Sequence, residues 1–322
     1  MELKKWFLEN GRELAFRKER TAYRVWVSEV MLQQTQASVV VPYFERWMAA
    51  FPTVEALASA PIEKVLKLWE GLGYYSRARN LHKGAQEIVR LGAFPKDLES
   101  ISGIGPYTAG AIRSFAFKER AAAVDGNVLR VMSRFLGEEG EIDKPQVRKK
   151  LTAAVEAFLP EEEPWVAMEA LIELGALVCQ KRPKCSSCPL QSDCQAFRHG
   201  LELPKRSPRA KTIFLERTVA VIECEGHLLL RQGEVGRVMA DLYEFPYLEG
   251  KRPWTDFDLG LELEYVNALP EERHSFTKYR VTLYPHFLRA KTRSTEGWKK
   301  REELGKLPFS SGHKRIYENL IY

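Results

Sequence analysis

The sequence predicts a mainly α-helical protein that ends in a small α+β domain. Three observations predict this fold class: apolar residues recur at helical spacing up to about residue 200, short alternating β-rich runs follow residue 215, and a Pro-rich basic stretch separates the two. With 322 residues, 45% of them hydrophobic, the chain is long enough for two cores. We therefore expect a helical domain over 1–200, a basic linker over 201–215 and an α+β domain over 216–322.

The charge balance favours an anionic partner without identifying one. Lys and Arg number 49 against 43 Asp and Glu, which gives a formal net charge of +6 and a pI near 8.9. The excess is spread evenly along the chain, so a nucleic-acid surface has to be assembled by folding. Because the N-terminus is charged every few residues and no apolar run approaches 18 residues, we expect a cytoplasmic protein with no membrane association.

A buried acid is predicted in the first long helix of the helical domain, over 22–36. Glu29 shares a face there with Val25, Trp26 and Leu32. Apolar neighbours disfavour ionisation, so this carboxyl could stay protonated near neutral pH and act as a general acid, although a surface or ion-paired glutamate is the alternative. Amides that can reach base edges follow in the same stretch, at Gln33, Gln34 and Gln36.

A helix-hairpin-helix signature follows at 98–112, in the run L-E-S-I-S-G-I-G-P-Y-T-A-G-A-I. Gly103 and Gly105 allow a tight turn and leave backbone N–H groups unshielded, and the next helix adds positive partial charge at its N-terminus. A DNA phosphate can dock on such a turn without base contacts. A plain helical packing turn is the other interpretation.

A carboxylate opens the next predicted helix, in V-D-G-N-V at 124–128. Asp125 is placed as an N-cap, which orients the carboxylate and favours its ionised form. The same placement suits stabilisation of a positively charged sugar in a transition state.

Four of the five cysteines form a C-x5-C-x2-C-x5-C pattern, at Cys179, Cys185, Cys188 and Cys194. In a cytosolic protein such clustering indicates metal rather than disulfides. Four thiolates at this spacing can hold either a zinc ion or an iron–sulfur cluster, and the spacing leaves both open.

The C-terminal domain is predicted from a change of periodicity. Strands are expected at 218–224, 227–231 and 279–286, and a helix at 314–320. These elements indicate a small α+β domain.

Taken together, these motifs resemble the adenine-specific members of the helix-hairpin-helix DNA glycosylase superfamily over nearly the whole chain. The resemblance is carried, in order, by V-S-E-V-M-L-Q-Q-T-Q, G-L-G-Y-Y-S-R-A-R-N-L-H, S-G-I-G-P-Y-T-A-G-A-I, V-D-G-N-V, E-A-L-I-E-L-G-A-L-V-C and the four cysteines. It implies a [4Fe–4S] cluster on the cysteines, although the family usually has six residues between the first two. The implied partner is double-stranded DNA with adenine opposite 8-oxoguanine or guanine, bound by a monomer.

The resemblance also implies roles for individual residues. Glu29 corresponds to the acid that protonates adenine, and Asp125 to the carboxylate facing the developing oxocarbenium ion. Tyr107 and Asn127 are implied to line the site near Asp125. Glu169 and Arg17 are implied to lie beside the flipped base, and Tyr74 and Gln34 to contact the duplex. Tyr107 occupies the position at which related lyases carry a Schiff-base lysine, so a monofunctional enzyme that leaves an abasic site is implied.

The second domain resembles a Nudix-like module that recognises the oxidised base. The glutamates of a working Nudix box are missing, which makes Mg²⁺-dependent pyrophosphate hydrolysis improbable. The implied contact loop is Phe276-Thr277-Lys278 where the family usually has Phe-Ser-His. The rival interpretations are another glycosylase of the superfamily, such as one acting on mismatched thymine, and a non-catalytic damage sensor.

Overall fold

The computed structural model describes residues 2–208, 211–234, 239–293 and 295–320. The chain divides into two compact units, one of Met1–Ser59 with Lys83–Arg209 and one of Ala60–His82 with Ala210–Tyr322. The short segment Ala60–His82 therefore groups with the C-terminal part of the chain, which the sequence does not predict. Residues 209 and 210 of the predicted linker lie outside the described residues.

The part of the chain before residue 200 is helical, as predicted, and the C-terminal part adds one more helix. In the described residues the helices are α1 Glu2–Asn10, α2 Ala22–Leu32, α3 Ala37–Ala50, α4 Val54–Ala58, α5 Ile62–Trp69, α6 Ser76–Leu91, α7 Pro106–Ala111, α8 Gly126–Leu136, α9 Pro145–Phe158, α10 Pro164–Leu177, α11 Gln195–His199 and α12 Ser311–Glu318. A π-helical turn, Ile112–Ala116, continues α7.

Helix α2 is shorter than the sequence predicts. It begins after Thr21, whose side chain accepts a hydrogen bond from the Arg24 N–H, and it ends at Leu32 rather than at Gln36. Gln34 has a φ of 60°, a left-handed conformation that a continuing α-helix does not allow. The three glutamines therefore lie in the turn between α2 and α3.

The predicted hairpin turn precedes α7. Gly103 has a φ of 86°, so the turn uses the freedom of glycine there, whereas Gly105 is extended at −96° and serves as the N-cap position. Pro106 occupies the first helical position, as is common. Gly110 is required by packing, because a Cβ there would lie 2.0 Å from the Ala122 carbonyl oxygen.

The second unit is built on a seven-stranded sheet. The strands of the described residues are β1 Ile213–Cys224, β2 His227–Leu229, β3 Arg231–Gln232, β4 Tyr243–Glu244, β5 Tyr247–Glu249, β6 Leu263–Ala268, β7 Glu272–Phe276, β8 Tyr279–Ala290 and β9 Trp298–Lys300. The sheet order is β6-β8-β1-β2-β9, with β5 pairing β1 and β7 pairing β8, and β3-β4 form a separate pair. The predicted strands and the C-terminal helix are confirmed with shifted ends.

The part of strand β1 over 217–222 is buried on both faces of the sheet, which explains the apolar run at 219–222. Val219 and Val221 join one core cluster, which also contains Ile316 of α12, while Ala220 and Ile222 join the cluster on the opposite face. Strand β1 runs parallel to β8. The second unit therefore has a core of its own.

The first half of the predicted linker is attached to the first unit. The Ile142 N–H donates to the Lys205 carbonyl over 3.0 Å, and the Ser207 hydroxyl donates to Glu141 over 2.7 Å. Arg206 pairs with Asp143 at 3.3 Å.

Among the described residues, no helix combines the length and apolar character needed to span a bilayer.

Candidate active site

A cavity of about 1160 Å³ lies within the first unit. This volume is large enough to admit a nucleotide. The predicted residues that line it are Glu29, Tyr107, Asp125, Asn127, Glu169, Arg17 and Gln34. Residues that the sequence places up to 152 positions apart thus face one space.

Glu29 is buried beneath this cavity, with 7% of its surface exposed. Burial raises its pKa to about 7, and the negative charges of Asp125 and Glu169 act in the same direction, while the Tyr107 hydrogen bond and Arg17 oppose them. The Tyr107 hydroxyl donates to the Glu29 carboxylate. Burial and the neighbouring carboxylates raise the pKa of Tyr107 as well, so the phenol keeps its proton. Glu29 therefore has the titration range of a general acid near neutral pH.

Asp125 is the N-cap of α8, as predicted. Its carboxylate accepts hydrogen bonds from the N–H groups of Asn127 and Val128 and from the Asn127 side-chain amide, at 2.9, 2.8 and 2.8 Å. These donors favour the ionised form, but burial is the larger influence and raises the pKa of Asp125. The carboxylate is thus held in one orientation at the wall of the cavity.

Asn127 is fixed from both sides. Its side-chain oxygen accepts a 2.8 Å hydrogen bond from Arg130, which also donates to the carbonyls of Gly175 and Cys179. Helix α10 packs closely here, because a Cβ on Gly175 would lie 2.6 Å from the Asn127 Cβ. Arg130 therefore connects the cavity wall to the start of the cysteine segment.

Glu169 enters the cavity wall from α10 and is 5% exposed. It pairs with Arg17 at 2.8 Å and with Arg20 at 2.6 Å. Two arginines thus compensate one buried carboxylate, as burial of a charge requires. The polar wall can hydrogen-bond a purine, while Glu29 can supply a proton and Asp125 can stabilise a positive charge.

Gln34 and Tyr74 are both in left-handed conformations, with φ values of 60° and 48°. Gln34 is exposed and lines the cavity of the first unit. Tyr74 belongs to the second unit and is 46% exposed, with the Arg77 guanidinium 5.8 Å from its ring centroid. Non-glycine residues in this conformation are uncommon and concentrate at functional sites. Their insertion into a duplex stays a prediction.

The predicted contact loop is the tip of the hairpin between β7 and β8. Phe276 pairs with Tyr279, which leaves Thr277 and Lys278 as a two-residue turn. Both turn residues are exposed, and Thr277 has a φ of 48°, an unfavourable value for a β-branched residue. The tip therefore presents a hydroxyl and an ammonium group to solvent.

The four clustered cysteines are free and half-buried. Arg134 donates to the Cys179 sulfur over 3.3 Å, and its carbonyl accepts from the Cys194 thiol over 3.4 Å. Burial, together with the neighbouring thiols, raises the pKa of Cys185 and of Cys188. In the described ranges, no three His, Cys, Asp or Glu side chains surround a single ion position. Four free thiols in one segment nevertheless fit, as a donor set, a thiolate-bound cluster.

Several residues of the site are missing from the sequence prediction. Arg12, Arg20 and Arg130 line the cavity, and Glu173 binds Arg12 and Arg17 from behind it. The available signal was the spacing of Glu169 and Glu173, which places two carboxylates on one helical face of an otherwise apolar segment.

Two family models match successive parts of the chain. Residues 27–157 match the HhH-GPD superfamily of base excision DNA repair proteins, and residues 218–319 match the NUDIX domain. The first match contains Glu29, Tyr107 and Asp125, and the second contains the β7–β8 hairpin.

Curated relatives carry the description adenine DNA glycosylase. The mouse protein is 42% identical over 207 residues, which are 60% of this chain and 40% of the mouse protein. A Buchnera aphidicola protein is 31% identical over 292 residues, which are 87% of this chain and 82% of that protein. The chain thus spans about 40% of the mouse relative and most of the bacterial one.

Two solved structures have a similar fold. A thermostable thymine-DNA glycosylase superposes with a TM-score of 0.56 at 24% identity, covering 61% of this chain and 94% of that one. A trapped endonuclease III–DNA covalent intermediate superposes with a TM-score of 0.52 at 26% identity, covering 61% of this chain and 92% of that one. Both matches confirm the predicted helical fold class.

Proposed function

The chain belongs to the adenine DNA glycosylase family, and from that membership we propose that it removes adenine from DNA by hydrolysing the N-glycosidic bond. The observation that carries the proposal is the buried acid Glu29, whose pKa is raised to about 7 inside a nucleotide-sized cavity that also contains Asp125. A leaving purine needs a proton, and a sugar that loses its base needs a nearby negative charge.

In the proposed reaction, Glu29 gives its proton to a ring nitrogen of the flipped adenine. The C–N bond then breaks with its electron pair moving to the base, and positive charge develops on the sugar. Asp125 faces that charge, held by the donors of Asn127 and Val128. Water then attacks the sugar and gives one proton to the Glu29 carboxylate, which restores the acid and leaves an abasic site.

The reaction is proposed to be monofunctional. Tyr107 occupies the position after the hairpin turn at which a lyase would need an amine, and its phenol donates a hydrogen bond to Glu29. A phenol cannot form an imine with the sugar, so strand cleavage by β-elimination is not expected.

The remaining proposals concern DNA and the cluster. Double-stranded DNA is the proposed partner, with adenine opposite 8-oxoguanine or guanine, bound by a monomeric protein in the cytoplasm. The opposite base is assigned to Phe276, Thr277 and Lys278, and the backbone to the hairpin turn with Gly103 and Gly105. A [4Fe–4S] cluster held by Cys179, Cys185, Cys188 and Cys194 would order the segment that they span.

The test is a single-turnover assay on four duplexes with adenine opposite 8-oxoguanine, guanine, cytosine or thymine. We expect free adenine to be released fastest from the first duplex, with the strand left intact until alkali is added. Release of thymine from a G·T duplex would favour the mismatch thymine alternative. Tight binding without release of any base would favour a damage sensor.

A further inference from the structure

Helix α10 carries two buried carboxylates on one face. Glu169 is 5% exposed and Glu173 is fully buried, one helical turn apart. Like charges at this spacing repel each other, and burying each charge is costly. Glu173 is not among the described residues that line the cavity, so contact with a base does not explain it.

Glu173 is compensated by the segment that leads into α2. Its carboxylate accepts hydrogen bonds from the Arg12 backbone N–H, Nε and Nη2, at 3.1, 2.6 and 3.1 Å, and from Arg17 Nη2 at 2.7 Å. Together these donors lower the pKa of Glu173, against the effect of burial, so it stays charged.

Arg17 lies between the two carboxylates. Its Nε pairs with Glu169 at 2.8 Å, its Nη2 with Glu173 at 2.7 Å, and its Nη1 donates to the Arg12 carbonyl at 2.9 Å. All three nitrogens of the Arg17 guanidinium therefore have a partner. The planar arrangement of donors in an arginine side chain makes three such contacts possible at once. The Arg17 charge is shared between a carboxylate in the cavity wall and one behind it.

We propose that Glu173 is a positioning residue for the acid Glu29, acting by fixing and neutralising the Arg17 guanidinium between the carboxylates of Glu169 and Glu173. The inference rests on the proposed function, since it assigns Glu29 the task of proton donor. Tyr107 donates a hydrogen bond to Glu29, and Asp125, Glu169 and Arg17 act on its pKa through their charges. Arg12, Arg20 and Arg130 also line the cavity, but Arg17 is the cation among the groups that shift the pKa of Glu29, so its neutralisation affects how readily Glu29 loses its proton before adenine is bound.

Without the charge of Glu173, Arg17 keeps its contacts with Glu169 and with the Arg12 carbonyl but is less neutralised, so more of its positive charge acts on Glu29. A nearby positive charge favours the ionised carboxylate and lowers its pKa. Because the acid works only while protonated, the alkaline limb of the rate profile should move to lower pH.

The test compares single-turnover excision rates of wild type and Glu173→Gln between pH 5 and 9. We expect the alkaline limb of the variant to fall by about one pH unit, which makes it about tenfold slower at pH 8 and nearly unchanged at pH 5.5. Glu163→Gln is the matched control, because it removes a carboxylate that lies next to the same helix and that pairs, among the described residues, with Lys4. An equal loss at every pH would mean a merely structural role and would overturn the proposal.

A double-mutant cycle with Arg17→Gln, which removes the positive charge, tests the route. If Glu173 acts through Arg17, then Glu173→Gln should cause little further shift in the Arg17→Gln background. Additive shifts would overturn the proposal. Should Glu173→Gln not fold, Glu173→Asp retains the charge but draws it back from Arg17, and a smaller shift in the same direction is expected; an unmoved limb would refute the idea.

A carbon-13 titration of the Glu29 carboxyl separates this inference from the proposed function. A lower Glu29 midpoint in Glu173→Gln supports positioning even if wild type releases no adenine, in which case only the proposed function fails. An active wild type whose Glu29 midpoint and rate profile do not respond to Glu173→Gln leaves the function intact and overturns the positioning role.

Discussion

The cavity of the first unit and the hairpin tip of the second unit hold their polar residues in opposite ways. In the cavity, Glu29 and Glu169 are fixed by partners from other elements, and Asp125 is fixed by the first residues of the helix that it caps. At the tip, Thr277 and Lys278 are exposed, and the backbone pairing of β7 with β8 positions them. Side-chain networks specify the first site, whereas a turn specifies the second.

This difference has an energetic consequence. Charges in a buried site interact through a low effective dielectric, so removing one partner changes the others. Exposed groups at a turn act singly, and each contributes roughly the free energy of one hydrogen bond or one screened ion pair. Changes in the cavity should therefore have large, coupled effects, and changes at the tip small, separable ones.

Glu29→Gln should give the largest effect. The amide keeps the size of the side chain and loses the transferable proton, so single-turnover adenine release should fall by about 10² to 10⁴ while binding of the duplex persists. Glu45→Gln makes the same chemical change at an exposed site on α3 and should leave the rate unchanged. Near-wild-type release by Glu29→Gln would remove this residue from the chemistry.

Cys188→Ser should remove iron and most of the DNA affinity together. The proposed cluster orders the segment from Cys179 to Cys194, and a hydroxyl replaces a thiolate poorly. Iron content and the visible absorbance of anaerobically purified protein measure the first loss, and duplex binding the second. Cys224→Ala is the control, because this buried cysteine belongs to the sheet core. Stoichiometric zinc without iron in wild type would contradict the cluster assignment.

The sequence predicts the site better than it predicts what holds the site. The burial of Glu29 was predictable because it sits among apolar residues at helical spacing, and the N-cap because Asp125 precedes a clear helix. The partners of Glu169 and Glu173 lie about 150 to 160 residues away in the sequence, and no local sequence pattern predicts a contact over that separation.

The predicted boundaries of helix α2 and of the two domains were wrong for a related reason. Helix α2 stops at Leu32 because Gln34 adopts a left-handed conformation that its residue type does not require. The segment Ala60–His82 groups with the second unit through contacts such as Glu70 with Lys314 at 2.8 Å. Period and propensity describe neighbours along the chain, whereas these features depend on tertiary pairing.

The pH dependence of stability should respond to Glu29 as well. The pKa of Glu29 in the folded protein is raised to about 7 from an ordinary value of 4.5. Its stabilising contribution is therefore complete below about pH 4.5 and is lost as pH rises through 7, where a buried charge appears. Between pH 5 and 8, the free energy of unfolding of Glu29→Gln should rise relative to that of wild type by at most about 3 kcal/mol, which thermal midpoints measured across this range would show. A difference independent of pH would mean that Glu29 titrates normally.

Thr277→Ala should have the smallest effect and one confined to specificity. The exposed hydroxyl is proposed to contact the base opposite adenine, so its loss should reduce the preference for 8-oxoguanine over guanine about fivefold, or about 1 kcal/mol. Thr277→Ser keeps the hydroxyl and should keep the preference. Point variants are better here than removal of the second unit, because Ala60–His82 would lose its partners there.

Lys278→Ala separates the two functions of the tip. An ammonium that binds phosphate contributes equally to every duplex, so affinity should fall for both base pairs and the salt dependence of binding should flatten, with the preference unchanged. If Thr277→Ala instead weakened both duplexes equally, the tip would bind backbone only. The opposite base would then have to be recognised elsewhere, and the contrast between a coupled cavity and a separable tip would no longer describe the division of work in this enzyme.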